Sequence, residues 1–133
     1  MDNDGDVRAT LIRKALDARN SAYAPYSGFR VGAALLTGVG KIYTGGNIEN
    51  ASYGLTCCAE RVALFKAVSE GERDFRAIAV ASDSEKHCSP CGACRQVLVE
   101  FGPGIEVYMG NNEGHYRVTT VVQLLPDSFS LLP

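Results

Sequence analysis

No stretch of this chain reads as a basic leader followed by an apolar segment, and no apolar run approaches the twenty or so residues that a bilayer span requires. Secretion and membrane insertion are therefore not indicated, and a cytoplasmic setting is expected. A basic block or a basic strip interleaved with aromatics is equally missing. The 13 Lys and Arg are scattered against 15 Asp and Glu, for a formal net charge of −2 and a pI near 5.6. A groove that tracks phosphates needs concentrated positive charge, so nucleic acid is not expected as a partner. There is no internal repeat, no low-complexity stretch and no linker. With 133 residues, 46% of them hydrophobic, the chain is expected to form one domain over 1–133 with a single core.

What is present is cysteine in a telling arrangement. Cys58-Ala59-Glu60 is followed some thirty residues later by Pro90-Cys91-Gly92-Ala93-Cys94. Three thiolates can hold a metal and leave a fourth position for water, which separates a catalytic zinc site from a closed structural one. Pro90 suits the first turn of a helix, which places Cys91 and Cys94 on one face of a helix continuing to Phe101. Cys58 opens a second helical pattern, with Val62, Phe65, Ala67 and Val68 among its apolar positions, ending at Gly71. Helix starts favour thiolate over thiol through their unpaired N–H groups and the positive end of the macrodipole. Glu60 lies roughly 200° round the helix from Cys58, so it reads as a proton carrier beside the metal rather than a ligand. Alone, it would read as a solvated glutamate.

Five cysteines without a secretory signal argue against disulfides. Cys57 and Cys88 are spare. Together with the others they leave open a closed four-cysteine zinc module, or an iron–sulfur cluster, which would want a cysteine where Leu98 stands. Neither explains Glu60.

The element order predicts an α/β fold. A first helix is expected over Val7 to Tyr23, with Leu11, Ala15, Ala18 and Ala22 at helical spacing. Strands follow at Arg30 to Thr37 and Lys41 to Asn47, around the turn Gly38-Val39-Gly40. After the Cys58 helix come a continuous apolar strand, Ala77 to Ala81, the Cys91 helix, and a strand from Ile105 to Met109. A last strand near Tyr116 to Thr119 and a short helix at Val121 to Leu125 close the order. The βαβ unit implies parallel neighbours in a sheet covered on both faces.

Across nearly its whole length the chain resembles the short, homotetrameric class of cytidine deaminases. The residues that carry this are Ala24-Pro25-Tyr26-Ser27, Phe29-x-Val31-Gly32-Ala33, Asn47-Ile48-Glu49-Asn50-Ala51, Cys58-Ala59-Glu60-Arg61, Ser89-Pro90-Cys91-Gly92-Ala93-Cys94-Arg95-Gln96 and Leu124-Leu125-Pro126-x-Ser128-Phe129. The resemblance implies a three-layer α/β/α fold on a mixed five-stranded sheet. It also implies one Zn²⁺ per chain on Cys58, Cys91 and Cys94, and a zinc hydroxide that attacks C4 of cytosine while Glu60 moves the proton to N3 and to the departing ammonia. Arg61 would donate to the thiolates. Asn47 and Glu49 would clamp the ribose, and a carboxylate there disfavours a phosphate, which selects free nucleosides. Phe29 and Ala59 would line the pyrimidine. Ala51, Tyr53 and Phe129 would complete a neighbouring subunit's pocket, in keeping with a chain end unusually apolar for a terminus. The implied reaction is deamination of cytidine and 2′-deoxycytidine in pyrimidine salvage. A related deaminase of nucleoside-like antibiotics, of the blasticidin type, shares the zinc motifs and is the nearest rival. Cys57 and Cys88 depart from the family pattern.

Overall fold

A computed structural model describes residues 4–132. Five strands, β1 (Val31–Thr37), β2 (Ile42–Gly46), β3 (Phe75–Ser82), β4 (Glu106–Gly110) and β5 (Tyr116–Thr120), form one sheet in the order β2-β1-β3-β4-β5. Only β3 and β4 run parallel; the other neighbours are antiparallel. Helix α1 (Asp4–Ala18) covers one face. Helices α2 (Ala59–Ser69) and α3 (Gly92–Val99), with the short α4 (Val121–Leu124), cover the other.

Period-two alternation decides which side chain meets which layer. Ala33, Leu35, Ile78, Val107 and Met109 point to the α2/α3 side, and Ala34, Leu36, Ala77, Ala79, Ala81 and Tyr108 point to α1. Because both faces are packed, residues 33–36 of β1 and 77–81 of β3 read as unbroken apolar runs. The α1 face uses small residues because the helix lies close. A Cβ added at Gly32 would stand 1.9 Å from the Ala15 carbonyl oxygen.

The expected elements are present, with shifted ends. The first helix stops at Ala18 rather than Tyr23, and a 3-10 turn at Arg19–Ser21 redirects the chain. Tyr23 is instead drawn into a parallel bridge with Ile48, its N–H donating to Asn47 and its carbonyl accepting from Glu49. On α2 the buried stripe is Ala59, Ala63 and Ala67 with Glu60 and Leu64, while Phe65 faces outward. Gly45 on β2 lets this helix approach closely, since a Cβ there would lie 2.8 Å from the Ala63 nitrogen. At that crossing the helix presents the backbone of Ala59 and Ala63 and the side chain of Val62. Pro90 precedes the cap of α3 instead of sitting in its first turn, and the helix ends at Val99. Phe101 then leaves the helix to meet Phe75 edge-on, with ring centroids 5.5 Å apart.

Candidate metal centre and substrate cleft

Helices α2 and α3 start at the same place on the same face of the sheet, and each is preceded by a cysteine. Cys58 and Cys91 are the N-cap residues, both extended, and neither side chain caps its own helix. Their sulfurs are left free to converge, 3.8 Å apart, and Cys94, one turn into α3, brings its sulfur to 3.6 Å from that of Cys91. All three lie within 4.8 Å of one another and form the candidate metal-holding group among the described residues. A tetrahedral zinc with Zn–S bonds of about 2.3 Å requires sulfurs roughly 3.8 Å apart, so the spacing fits the ion. Cys57 and Cys88 stand outside the group. A closed four-cysteine module therefore lacks its fourth sulfur.

The electrostatics of the trio point the same way. Cys58 is lowered to about 5, first by the Cys94 thiol that donates to it and then by Arg61, whose guanidinium lies 3.5 Å from the Cys58 sulfur. Cys94 is pushed upward by the same contact, by burial and by the charge of Glu60. One anion thus forces its neighbour to stay neutral. A divalent cation removes that conflict and lets all three ionise. Arg61 is raised by its partnership with Cys58, and its Nε is buried with no acceptor.

Glu60 is 4% exposed and lines a cavity of about 250 Å³ together with Phe29, Val31, Asn47, Cys58 and Cys91. Burial drives its pKa up to about 7, and the charge of Cys58 adds to this, while backbone N–H donation opposes it. A carboxyl poised there can both take and return a proton near neutrality.

The remaining expected residues divide. Ala59 is buried on the cavity wall beside Glu60, and Phe29 forms part of the opposite lining. Asn47 lies in this cavity, but its amide is already engaged. Its nitrogen donates to the Phe29 carbonyl at 3.0 Å and its oxygen accepts from the Val31 N–H at 2.9 Å. Glu49 lines an adjoining cavity of about 260 Å³ with Tyr26, Asn50 and Tyr53; Thr56 borders both. There its carboxylate accepts from the N–H groups of Tyr26 and Ser27 and from the Ser27 hydroxyl, the last of which holds it below its ordinary value. Ala51, Tyr53 and Phe129 do not reach the inner cavity; Tyr53 is 77% and Phe129 69% exposed.

Sequence reasoning had not placed Cys88, Ser89 and Thr56 on the cavity wall. Cys88 is pushed up to about 12 by burial and by Glu60, so its thiol stays neutral. Its position two residues before Pro90 was the available signal, obscured because a nearby cysteine reads first as a ligand.

Two helix starts that share a three-sulfur metal centre beside a buried carboxyl define a zinc-dependent hydrolase with a small-molecule cleft. Residues 6–110 match the family model described as the cytidine and deoxycytidylate deaminase zinc-binding region, and the chain belongs to that family. It is 56% identical over 124 residues to the cytidine deaminase of Halalkalibacterium halodurans, covering 92% of this chain and 94% of that one. The cytidine deaminase of Sporosarcina psychrophila is 56% identical over 121 residues, covering 90% and 89%. The crystal structure of cytidine deaminase from Burkholderia pseudomallei superposes with a TM-score of 0.88 at 54% identity, covering 90% of this chain and 97% of that one.

Proposed function

We propose that this chain is a cytidine deaminase that hydrolyses cytidine and 2′-deoxycytidine to the uridine counterparts, as a single catalytic domain over 1–133. The observation that carries this is the trio of sulfurs at zinc spacing with Glu60 buried in the same cavity. Zinc held by Cys58, Cys91 and Cys94 would supply water acidified to a pKa of about 7. Glu60 would take the first proton that this water sheds and deliver it to N3 of the pyrimidine, then pass the water's second proton to the amino group as the C4–N bond breaks and ammonia leaves. Its raised pKa suits both directions of transfer. Arg61 offsets part of the thiolate charge. Phe29 and Ala59 confine the flat ring.

Asn47 holds the Phe29 carbonyl in place and faces the sugar side, while Glu49 would exchange its bonds to Ser27 and Tyr26 for the ribose hydroxyls. Its negative charge selects nucleoside over nucleotide.

The reading extends to a homotetramer in which Ala51, Tyr53 and Phe129 serve a neighbour's pocket. Supporting it are exposed large apolar residues, with Leu55 71%, Leu131 85% and Leu132 63% exposed. It also includes a cytoplasmic role in pyrimidine salvage; no helix among the described residues is long and apolar enough to cross a membrane. Zinc-loaded protein should abolish the cytidine absorbance and release one ammonia per turnover. A fully loaded sample that leaves cytidine unchanged while accepting a nucleoside-like antibiotic would refute the assignment in favour of the antibiotic enzymes.

A further inference from the structure

Arg95 is used neither as a ligand nor as a cavity residue, yet its guanidinium is engaged on three sides. Nε donates to the Pro90 carbonyl at 2.8 Å, one terminal nitrogen to the Ser89 hydroxyl at 2.8 Å and the other to the Leu124 carbonyl at 2.9 Å. All three acceptors are neutral oxygens. The planar fork of fixed donors is therefore what this place requires, more than the charge.

The three partners have distinct positions in the molecule. Ser89 and Pro90 immediately precede Cys91, and Ser89 also lines the cleft. Cys91 must hold an extended backbone, with φ of −68° and ψ of 168°, to aim its sulfur away from α3 and toward Cys58. Upstream of Pro90, the Cys88 N–H is tied to the Gly110 carbonyl. Between that anchor and the helix, Arg95 holds the Pro90 carbonyl and the Ser89 side chain. Leu124 is the last residue of α4, where a carbonyl lacks an intrahelical partner. The neighbouring Gln96 donates to the Phe129 carbonyl at 2.9 Å.

We infer that Arg95 is a positioning residue of the metal centre: folded back over the start of α3, it fixes the Ser89-Pro90 segment, and through it the direction of the Cys91 sulfur, while fastening the same unit to the end of α4. Gln96 performs a separate task, holding the C-terminal segment. The inference rests on the three-sulfur reading of the site.

Zinc-loaded wild type, Arg95→Met, Arg95→Lys and Gln96→Ala are compared by zinc release to a chelator, by the thiolate-to-metal bands of the cobalt-substituted proteins, and by kcat and KM per folded, metal-loaded chain. Loss of a group that orients a ligand typically costs roughly 10–100-fold in metal affinity or activity. Arg95→Met should release zinc faster by that order, shift the cobalt bands and lower kcat with little change in KM. Arg95→Lys, offering a point donor for one or two of three acceptors, should lie between. Gln96→Ala should release zinc at the wild-type rate. If Arg95→Met does not fold, the lysine variant carries the same comparison. Wild-type zinc release, cobalt bands and kcat in both Arg95 variants would overturn the inference even if thermal stability fell, and so would equally fast release from Gln96→Ala. Wild-type protein that binds no zinc would overturn the metal reading itself, and Arg95's role with it.

Discussion

The two faces of the sheet are built by opposite rules. On the α1 face, Leu11, Ile12 and Ala15 pack on Ala34, Ala77, Ala79 and Ala81, and the helix approaches until only glycine fits at position 32. The buried ionisable group in that cluster is the Tyr108 phenol, which burial keeps neutral. On the α2/α3 face the same strands support two helices whose N-caps are cysteines, with the Glu60 carboxyl buried beside them. The difference shows how one scaffold separates its tasks: close packing on one side makes the sheet rigid, and that rigidity lets the other side hold polar groups in positions that cost stability.

Substitutions that act on one face and not on the other test this separation. The largest effect is expected from Glu60→Ala, which should lower kcat by roughly 10²–10⁴ while zinc content and thermal stability are kept; wild-type turnover in that variant removes Glu60 from proton transfer. Leu11→Ala, on the opposite face, should cost about 2–5 kcal/mol of unfolding free energy and leave kcat of the folded protein untouched. A parallel fall in both would show that the faces are coupled.

Smaller still is the effect of Cys57→Ser and Cys88→Ser, which lie outside the sulfur trio. Each should retain one zinc per chain, measured by metal analysis after dialysis, and a loss of zinc in either would point to a four-sulfur site.

The smallest concerns Asp83, where the two faces meet at the end of β3. It pairs with Arg19 from the α1 side at 2.9 Å and with Arg30 beside the cleft at 3.1 Å. Arg30 above all holds its carboxyl below the ordinary 3.8. A depressed carboxylate contributes stability that is present above the unfolded pKa and is lost as pH falls through the folded one. Asp83→Asn should therefore be less stable than wild type near neutrality, with the gap closing below pH 3.8, as read by denaturant midpoints across pH.

Much of the cleft was legible because its chemistry is written in short motifs. Cys58-x-Glu60 and Cys91-x-x-Cys94 name their residues by type and spacing, and helix caps placed them where expected. The unbroken apolar run 77–81 within β3 announced a sheet covered on both sides. What escaped was set by partners distant in sequence. After α1 the chain turns so that Tyr23 bridges Ile48, and the close approach of α2 to the sheet depends on Gly45, eighteen residues before Ala63. Asn47 lies in the inner cavity and Glu49 in the adjoining one, where its carboxylate is held by Tyr26 and Ser27, from a loop that periodicity does not register. The bonds of Arg95 to Ser89 and Leu124 were invisible for the same reason.

X-ray absorption at the zinc edge of the purified protein tests the central claim most directly. Three sulfur scatterers at about 2.3 Å and one lighter atom completing the shell are the expected result. Four sulfurs around the ion, or a protein that holds no zinc, would contradict it.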